Sequence, residues 1–311
     1  MISPGEKWFE NGAWKDAAPT LSVLIPFLGD DPTTLIRALG RGAPRGQVEI
    51  VAFDDGSNNL ALASRVTEAL TASPLPGRFV RSRANLGRAK GRNRLATHAR
   101  GGWLLFLDAD MAPDSPAFLK TYLDLIATAA PAVAFGGFSL DQAPAVAAHA
   151  LHRRMAQTSD CAPVEVRRVA PEKHVFTSNL LVRRDVFAAC TFDESFAGWG
   201  WEDVEWAMRI ARRHPITHVD NTATHLGLDP PATIAAKYEQ SASNFARVVA
   251  RHPSVVERYP SYRAARLLKR VPLRGAWRPA LKSFALTEAA PLGARAFAMR
   301  LYRAALYAEA V

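Results

Sequence analysis

The sequence predicts an α/β fold: a mostly parallel central sheet flanked by helices, followed by a helical C-terminal extension. Three observations carry this. Short apolar runs of strand length alternate with helical patterns through much of the chain, as in repeated βαβ units. The runs are nearly continuous in apolar residues, as strands covered on both faces of a parallel sheet must be. Beyond Pro230 the pattern is helical almost to the end, punctuated by proline. At 311 residues and 49% hydrophobic, the chain can bury one large core, or one α/β domain of roughly 220 to 250 residues with an appendage.

The elements follow in order. Leu21 to Phe27 (LSVLIPF) and Gln47 to Phe53 (QVEIVAF) read as buried strands, with a helix from about Pro32 to Leu39 between them. A helix from Leu60 to Thr71, a strand near Arg78 to Ser82, a helix from Arg88 to Arg100 and a strand from Trp103 repeat the alternation; right-handed crossovers make the sheet parallel. A helix near Ser115 to Ala129 and a strand around Ala132 to Phe138 come next. Between Ser139 and Lys173 the regularity fades into helix mixed with mobile loop. A strand at Val175 to Val182, a helix at Arg184 to Ala189, a loop rich in Gly and Trp and a helix from Glu202 to Arg213 follow, then two short strands around Thr217 and Thr224. The C-terminal helices are expected to break at Pro253, Pro260, Pro272, Pro279 and Pro291.

The formal charge of +10 is unevenly placed. From Arg251 onward, twelve Lys and Arg face only Glu257, Glu288 and Glu309. Interleaved with aromatic and aliphatic residues, this is the composition of basic amphipathic helices that lie on anionic lipid, although a solvated helical appendage would read the same. Nucleic acid would suit the charge, but no reader motif accompanies it, so none is expected as a partner. No run of about 18 apolar residues occurs, and MISPGEKWFENG lacks the basic start and apolar stretch of a signal peptide. The expectation is a cytoplasmic protein, peripheral to the inner face of the cell membrane at most. Cys161 and Cys190 are too few for a disulfide framework and lack the neighbours of a zinc motif or catalytic thiol.

The chemistry begins at Trp103 to Asp110 (WLLFLDAD), an apolar strand that runs into two carboxylates. Side chains alternate along a strand, so Asp108 and Asp110 face one way and Ala109 the other, and one hard cation could touch both acids. Ligands of open α/β sheets collect beyond the carboxyl ends of such strands; a plain turn and helix cap is the competing account. Asp54 and Asp55, in FDDGS, end the second strand at the same edge. A carboxylate there could accept from a uracil N3–H, with the backbone of Pro26 and Phe27 nearby. Arg88, Lys90 and Arg92, in NLGRAKGRN, place three cations near a helix N-terminus, which attracts phosphate. The string is neither a Walker loop nor a dinucleotide fingerprint.

In FAGWGWEDVE, Gly198 and Gly200 free the backbone, Trp199 and Trp201 offer flat apolar faces to a sugar ring, and Glu202 and Asp203 open the next helix. A sugar-binding loop with a general base is the natural reading. A helix N-terminus favours the ionised acid and weakens it as a base, unless burial or neighbouring acids push its pKa back up. His225 follows a short strand in TATHLG. A lone His is usually structural, but with two carboxylates it leaves room for diphosphate oxygens around Mn²⁺ or Mg²⁺.

Together, SVLIPF, FDDGS, NLGRAKGRN, LLFLDAD, FTSNLLVRRDVF and FDESFAGWGWEDVEWAMRI resemble the family 2 glycosyltransferases of the GT-A fold, over roughly Leu21 to Leu228. The GWGWED string is also similar to the acceptor loop of β-1,4-galactosyltransferases and bacterial chondroitin polymerases. The resemblance implies that Asp203 is the base, Glu202 an acceptor-hydroxyl ligand, and Asp110 and His225 metal ligands. Asp108 then contacts ribose or metal-bound water, with Ala109 beside it in the cofactor site, and Asp55 contacts uracil, with Asp54 next to it in the same site. Trp201 and Val204 depart from the galactosyltransferase pattern. Residues 21–229 would be the GT-A domain, with 21–112 binding nucleotide and 113–229 the acceptor; 1–20 would be an N-terminal extension and 230–311 the basic helical region.

The implied reaction is metal-dependent, single-step inverting transfer of a sugar, with galactose, GalNAc or GlcNAc as guesses, from a UDP-sugar to a glycan or lipid-linked acceptor in cell-surface polysaccharide synthesis. Rivals are a retaining transferase on the same fold, a nucleotidyltransferase, and a noncatalytic module that docks on membrane or nucleic acid through its basic tail.

Overall fold

The structure, a computed structural model, describes residues 5–42, 44 and 46–311. Its strands are β1 (Lys7–Glu10), β2 (Leu21–Phe27), β3 (Val48–Asp54), β4 (Gly77–Arg81), β5 (Trp103–Phe106), β6 (Met111–Pro113), β7 (Val133–Phe135), β8 (Phe138–Ser139), β9 (Leu180–Arg183), β10 (Ile216–His218) and β11 (Ala223–His225). The helices are α1 (Thr33–Gly42), α2 (Leu60–Thr71), α3 (Arg88–Ala96), α4 (Phe118–Ala129), α5 (Ala150–Ala156), α6 (Val164–Val169), α7 (Arg184–Ala189), α8 (Glu202–Ile210), α9 (Pro231–Arg251), α10 (Pro253–Val256), α11 (Pro260–Lys269), α12 (Arg274–Leu286) and α13 (Leu292–Tyr307).

Eight strands form the main sheet in the order β1-β4-β3-β2-β5-β9-β7-β10. The neighbours from β4 to β5 are parallel, as are β7 and β10, while β1 and β9 run antiparallel to theirs. All seven residues of β3 are buried, as the apolar run predicts for a central strand. Glu49, one of two acids in that strand, accepts from Ser22 Oγ at 2.6 Å and from Arg100 N and Nε at 2.7 and 2.8 Å, so its burial leaves no unpaired carboxylate. Apolar clusters cover both faces of the sheet. A small sheet, β6-β11-β8, sits beside the carboxyl end of β5.

Several boundaries differ from expectation for local reasons. β5 stops at Phe106, and Met111 N donates back to the Asp108 carbonyl at 3.1 Å, so the paired acids occupy a turn rather than a strand. The run at 132–138 splits into β7 and β8 in different sheets. Gly137 bends it at φ +98°, where an added Cβ would meet the Arg167 guanidinium at 2.6 Å. The run at 175–182 pairs only from Leu180, because a single 3₁₀ turn, Thr177–Asn179, precedes it. The stretch between Ser139 and Lys173 holds α5 and α6. Pro279 lies inside α12 and does not end it. At the N-terminus, β1 joins the sheet edge and Trp14 is buried, so this segment is part of the fold. The C-terminal helices share one apolar cluster with the middle of the chain: Phe245, Val248, Met299 and Tyr302 pack with Leu151, Phe196, Val204 and Met208. Among the described residues, no helix is long and apolar enough to cross a membrane.

Candidate active site

The site forms where the carboxyl ends of the parallel strands β2, β3 and β5 meet the N-termini of α3 and α8. Arg92 Nη2 donates to Asp108 Oδ1 at 2.6 Å, and Ser178 Oγ, delivered by the turn before β9, donates to Asp108 Oδ2 at 2.8 Å. Arg88 Nε donates to Glu202 Oε1 at 2.7 Å across 114 residues of sequence. The two arginines also approach the opposite acids, each at 3.9 Å, so Asp108 and Glu202 share one guanidinium pair. Burial disfavours the Asp108 carboxylate, but Arg92, Arg88 and Ser178 outweigh it and hold the pKa below the usual range. Glu202 is buried within this network, where it could orient an acceptor hydroxyl only beside its arginines.

Asp203 is next on α8, whose first turn is aimed by Trp201 in a left-handed conformation, φ 76°. One carboxylate oxygen accepts from Val204 N at 2.8 Å. Burial, and then the neighbouring Glu202 charge, push its pKa up to about 7; Arg88 and the Val204 hydrogen bond pull the other way. The shift runs opposite to the one a helix N-terminus alone would give, because desolvation and the adjacent acid outweigh it.

Across from this network, β6 and β11 bring Asp110 and His225 together, with Asp110 Oδ2 and His225 Nε2 3.2 Å apart. Burial opposes the charged imidazole, but the Asp110 hydrogen bond and charge raise its pKa overall. Gly227 passes so close that a Cβ there would overlap the Asp110 carboxylate. Two donors on adjacent corners of an octahedral ion, at bonds of roughly 2.1 Å, lie about 3 Å apart, so this oxygen and nitrogen suit one divalent cation. Asp108 does not complete the set, because its carboxylate is held by Arg92, Arg88 and Ser178. Among the described residues, no three His, Cys, Asp or Glu are grouped to hold a metal. A cation on Asp110 and His225 would take its further ligands from substrate oxygens and water.

On the nucleotide side, Asp55 accepts from Leu86 N and Gly87 N at 2.8 and 3.1 Å, and burial pushes its pKa up to about 6 despite them. Asp54 accepts from Ser57 N and Ser57 Oγ at 2.8 and 2.9 Å and lies 3.7 Å from Arg81. Asp55 therefore braces the loop that starts α3 and Asp54 the turn after β3, and Gly56, at φ +91°, lets the α3 loop approach within 2.6 Å of where a Cβ would stand. Pro26 and Phe27 end β2 at this edge, and Ala109 is buried in the core cluster below. Of the three cations near the α3 N-terminus, Arg88 and Arg92 are engaged by acids. Lys90 is exposed and joins no ion pair among the described residues.

The tryptophans part company. Trp199 is half-buried beside Tyr238, with Lys237 Nζ 5.9 Å from its ring centre. Trp201, half-buried, packs on Phe245 with centroids 4.9 Å apart and donates its indole N–H to Tyr307 Oη at 2.9 Å, so it anchors the loop. Asn244 Nδ2 clamps the same loop through the carbonyls of Ala197 and Gly200, both at 2.9 Å. Sequence reasoning missed Ser178, Asn244, Tyr307 and a group around His225. There, His152 Nδ1 accepts from Asp229 N at 2.7 Å, and Lys237 Nζ pairs with Asp229 at 2.6 Å. Burial, reinforced by His225, pushes the His152 pKa down to about 4. Asp30, exposed just beyond β2, is also missed; partial desolvation and then the Asp110 and Asp108 charges raise its pKa. Ser178 falls inside FTSNLLVRRDVF and was signalled by that string, whereas the others are brought in by tertiary packing alone.

A mostly parallel sheet with acids at its carboxyl edge, opposed by a helix-borne acid pair, defines a glycosyltransferase of the GT-A class. The family model described as Glycosyl transferase family 2 matches residues 22–188, and the chain belongs to that family. Among solved structures, it is similar to a mannosyltransferase from Pyrobaculum calidifontis in complex with GDP-Man and Mn²⁺, at TM-score 0.61 and 16% identity, covering 95% of this chain and 88% of that one. It is similar to S. aureus TarS 1-349, at TM-score 0.51 and 16% identity, over 94% and 90% of the two chains. It also resembles glucosyl-3-phosphoglycerate synthase from Mycobacterium tuberculosis, in complex with Mn²⁺, UDP and glucosyl-3-phosphoglycerate, at TM-score 0.54 and 16% identity, over 75% and 80%. These likenesses establish the fold. A search of curated proteins gave no match.

Proposed function

We propose that this glycosyltransferase is metal-dependent and inverting, and moves a hexose or N-acetylhexosamine from a UDP-sugar to a hydroxyl of a glycan or lipid-linked acceptor. The observation that carries the reading is Asp203, a half-buried carboxyl with its pKa raised to about 7, next to Glu202, which Arg88 and Arg92 tie to the Asp108 turn, and opposite the Asp110–His225 pair. Asp203 takes the proton of the acceptor hydroxyl as its oxygen attacks the anomeric carbon and the bond to the UDP oxygen breaks on the opposite face. Trp199 and Lys237 flank the acceptor, Glu202 orients it, and the remaining lone pairs of Asp55 meet the uracil. Asp108 contacts ribose or ordered water, and Lys90 the phosphates. Mn²⁺ or Mg²⁺ on Asp110 and His225 would neutralise charge on the departing diphosphate. Mn²⁺ and a nucleotide or nucleotide-sugar in the mannosyltransferase and synthase complexes support that choice. The work is assigned to cell-surface polysaccharide synthesis at the cytoplasmic face of the membrane, which the basic C-terminal region suits.

Screening UDP-sugars for slow hydrolysis with Mn²⁺, then recording the anomeric NMR signal of the transfer product, tests this directly. Inversion and turnover dependent on the Asp203 carboxylate are expected. A product that retains configuration, or an Asp203→Asn enzyme that transfers sugar at the wild-type rate, overturns the assignment.

A further inference from the structure

Between Arg258 and Glu288 the sequence holds seven Lys and Arg and no acid. The fold gathers the middle of this stretch at the corner between α11 and α12, where Leu267, Val271 and Leu273 are 66%, 40% and 80% exposed. Arg263, Arg266, Lys269 and Arg270 are exposed around them. Leu273 adopts a left-handed conformation, φ 59°, uncommon for a residue other than glycine, and its side chain lies in solvent. Trp277 Nε1 donates to the Pro272 carbonyl at 2.9 Å and fixes the corner. The corner also abuts the end of α13: Lys269 Nζ donates to the Val311 carbonyl and Arg278 pairs with Glu309. Tyr307, on the last turn of α13, holds Trp201 of the acceptor loop.

We propose that the α11–α12 corner docks on an anionic lipid bilayer, Leu267, Val271 and Leu273 entering the acyl boundary while the surrounding cations meet lipid phosphates. Aliphatic side chains ringed by exposed positive charge suit that partner, since the apolar tip gains from leaving water and the cations gain from the surface potential. The position at the acceptor-loop end of α13 would bring a lipid-linked acceptor to the loop. This rests on the proposed function only in taking the acceptor to be lipid-borne.

Flotation of the full chain with phosphatidylcholine vesicles, with and without 30% phosphatidylglycerol (about one anionic lipid in three), tests it. Binding is expected only to the anionic vesicles at about 0.1 M salt and to fade at about 0.5 M. The double variant Val271→Ser, Leu273→Ser is expected to bind roughly tenfold more weakly with UDP-sugar hydrolysis unchanged. Equal binding to neutral vesicles, no binding at all, or an unaffected double variant overturns the proposal. A wild-type dimer in solution that the double variant abolishes would assign the corner to a second copy and also overturn it. Hydrolysis of UDP-sugar is read without vesicles, so failure of the transferase reading and failure of the docking reading are separate results.

Discussion

A carboxyl group at pKa about 7 has two consequences at Asp203, one for rate and one for stability. As a base it must be ionised, so kcat/KM should rise with pH through about 7 and then level, falling to about a tenth one pH unit below. For stability the sign is opposite. The folded pKa lies above the model-compound value of 3.8, so the fold favours the protonated acid; that contribution is complete below about 3.8 and is lost as pH rises through about 7. Asp203→Asn is therefore expected to lower turnover by roughly 10²- to 10⁴-fold while raising Tm at pH 8, with the gain shrinking near pH 4. Calorimetry at the two pH values beside initial rates checks it; an Asn variant no more stable at pH 8 would show that burial is not what shifts the group. Gly227 is a second residue-scale case. Leu226 N donates to the Asp110 carbonyl at 2.9 Å, so the backbone cannot withdraw, and Gly227→Ala must turn the Asp110 carboxylate away. UDP affinity in the presence of Mn²⁺ should fall about 10- to 100-fold, as it does when ligand-orienting groups are lost. Calorimetric titration would show this, and equal affinity with and without Mn²⁺ in the wild type would remove Asp110 as a ligand.

At the scale of elements, the acceptor loop is held from behind by α9 and α13. Trp201 donates to Tyr307 Oη, which also lies 2.8 Å from Ser241 Oγ on α9, so three segments meet at one hydroxyl. Trp201→Phe keeps most of the stacking and removes the N–H. The expected cost is about 0.5–1.5 kcal/mol of stability, with KM rising for the acceptor and not for the UDP-sugar; a matching rise for both would mean the strap serves only the fold. This strap also marks the limit of what the sequence discloses. The strand runs at 21–27 and 48–54, α2, α7 and the start of α8 were legible because their periodicity is local. Asp108, Asp110 and Asp203 stood out because acids at the ends of buried runs are rare without a use. The anchoring of Trp201 was not legible because its partners, Phe245 and Tyr307, lie far along the chain. The engagement of Arg88 by Glu202 was invisible for the same reason. Strand β1 was missed because its four residues, two exposed and two half-buried at a sheet edge, carry no buried run.

At the scale of the whole molecule, the basic C-terminal helices are a wall of the enzyme as well as a charged surface. Phe245, Val248, Met299, Tyr302 and Tyr307 bury the outer side of α8 through Val204 and Met208, and cover Phe196 at the start of the acceptor loop. Ending the chain after Asp229 would leave those side chains facing water and remove Asn244, Tyr307 and Lys237 from the loop and the site. Uncovering an apolar cluster of this kind commonly yields a compact state without fixed packing or an aggregate. A 1–229 fragment is therefore expected to lose its cooperative thermal transition and near-ultraviolet signal while keeping much of its secondary structure, and to lose UDP-sugar hydrolysis. A fragment that melts cooperatively and hydrolyses donor at the full-length rate would instead make residues 230–311 a detachable appendage, with the catalytic loop held by the α/β core alone.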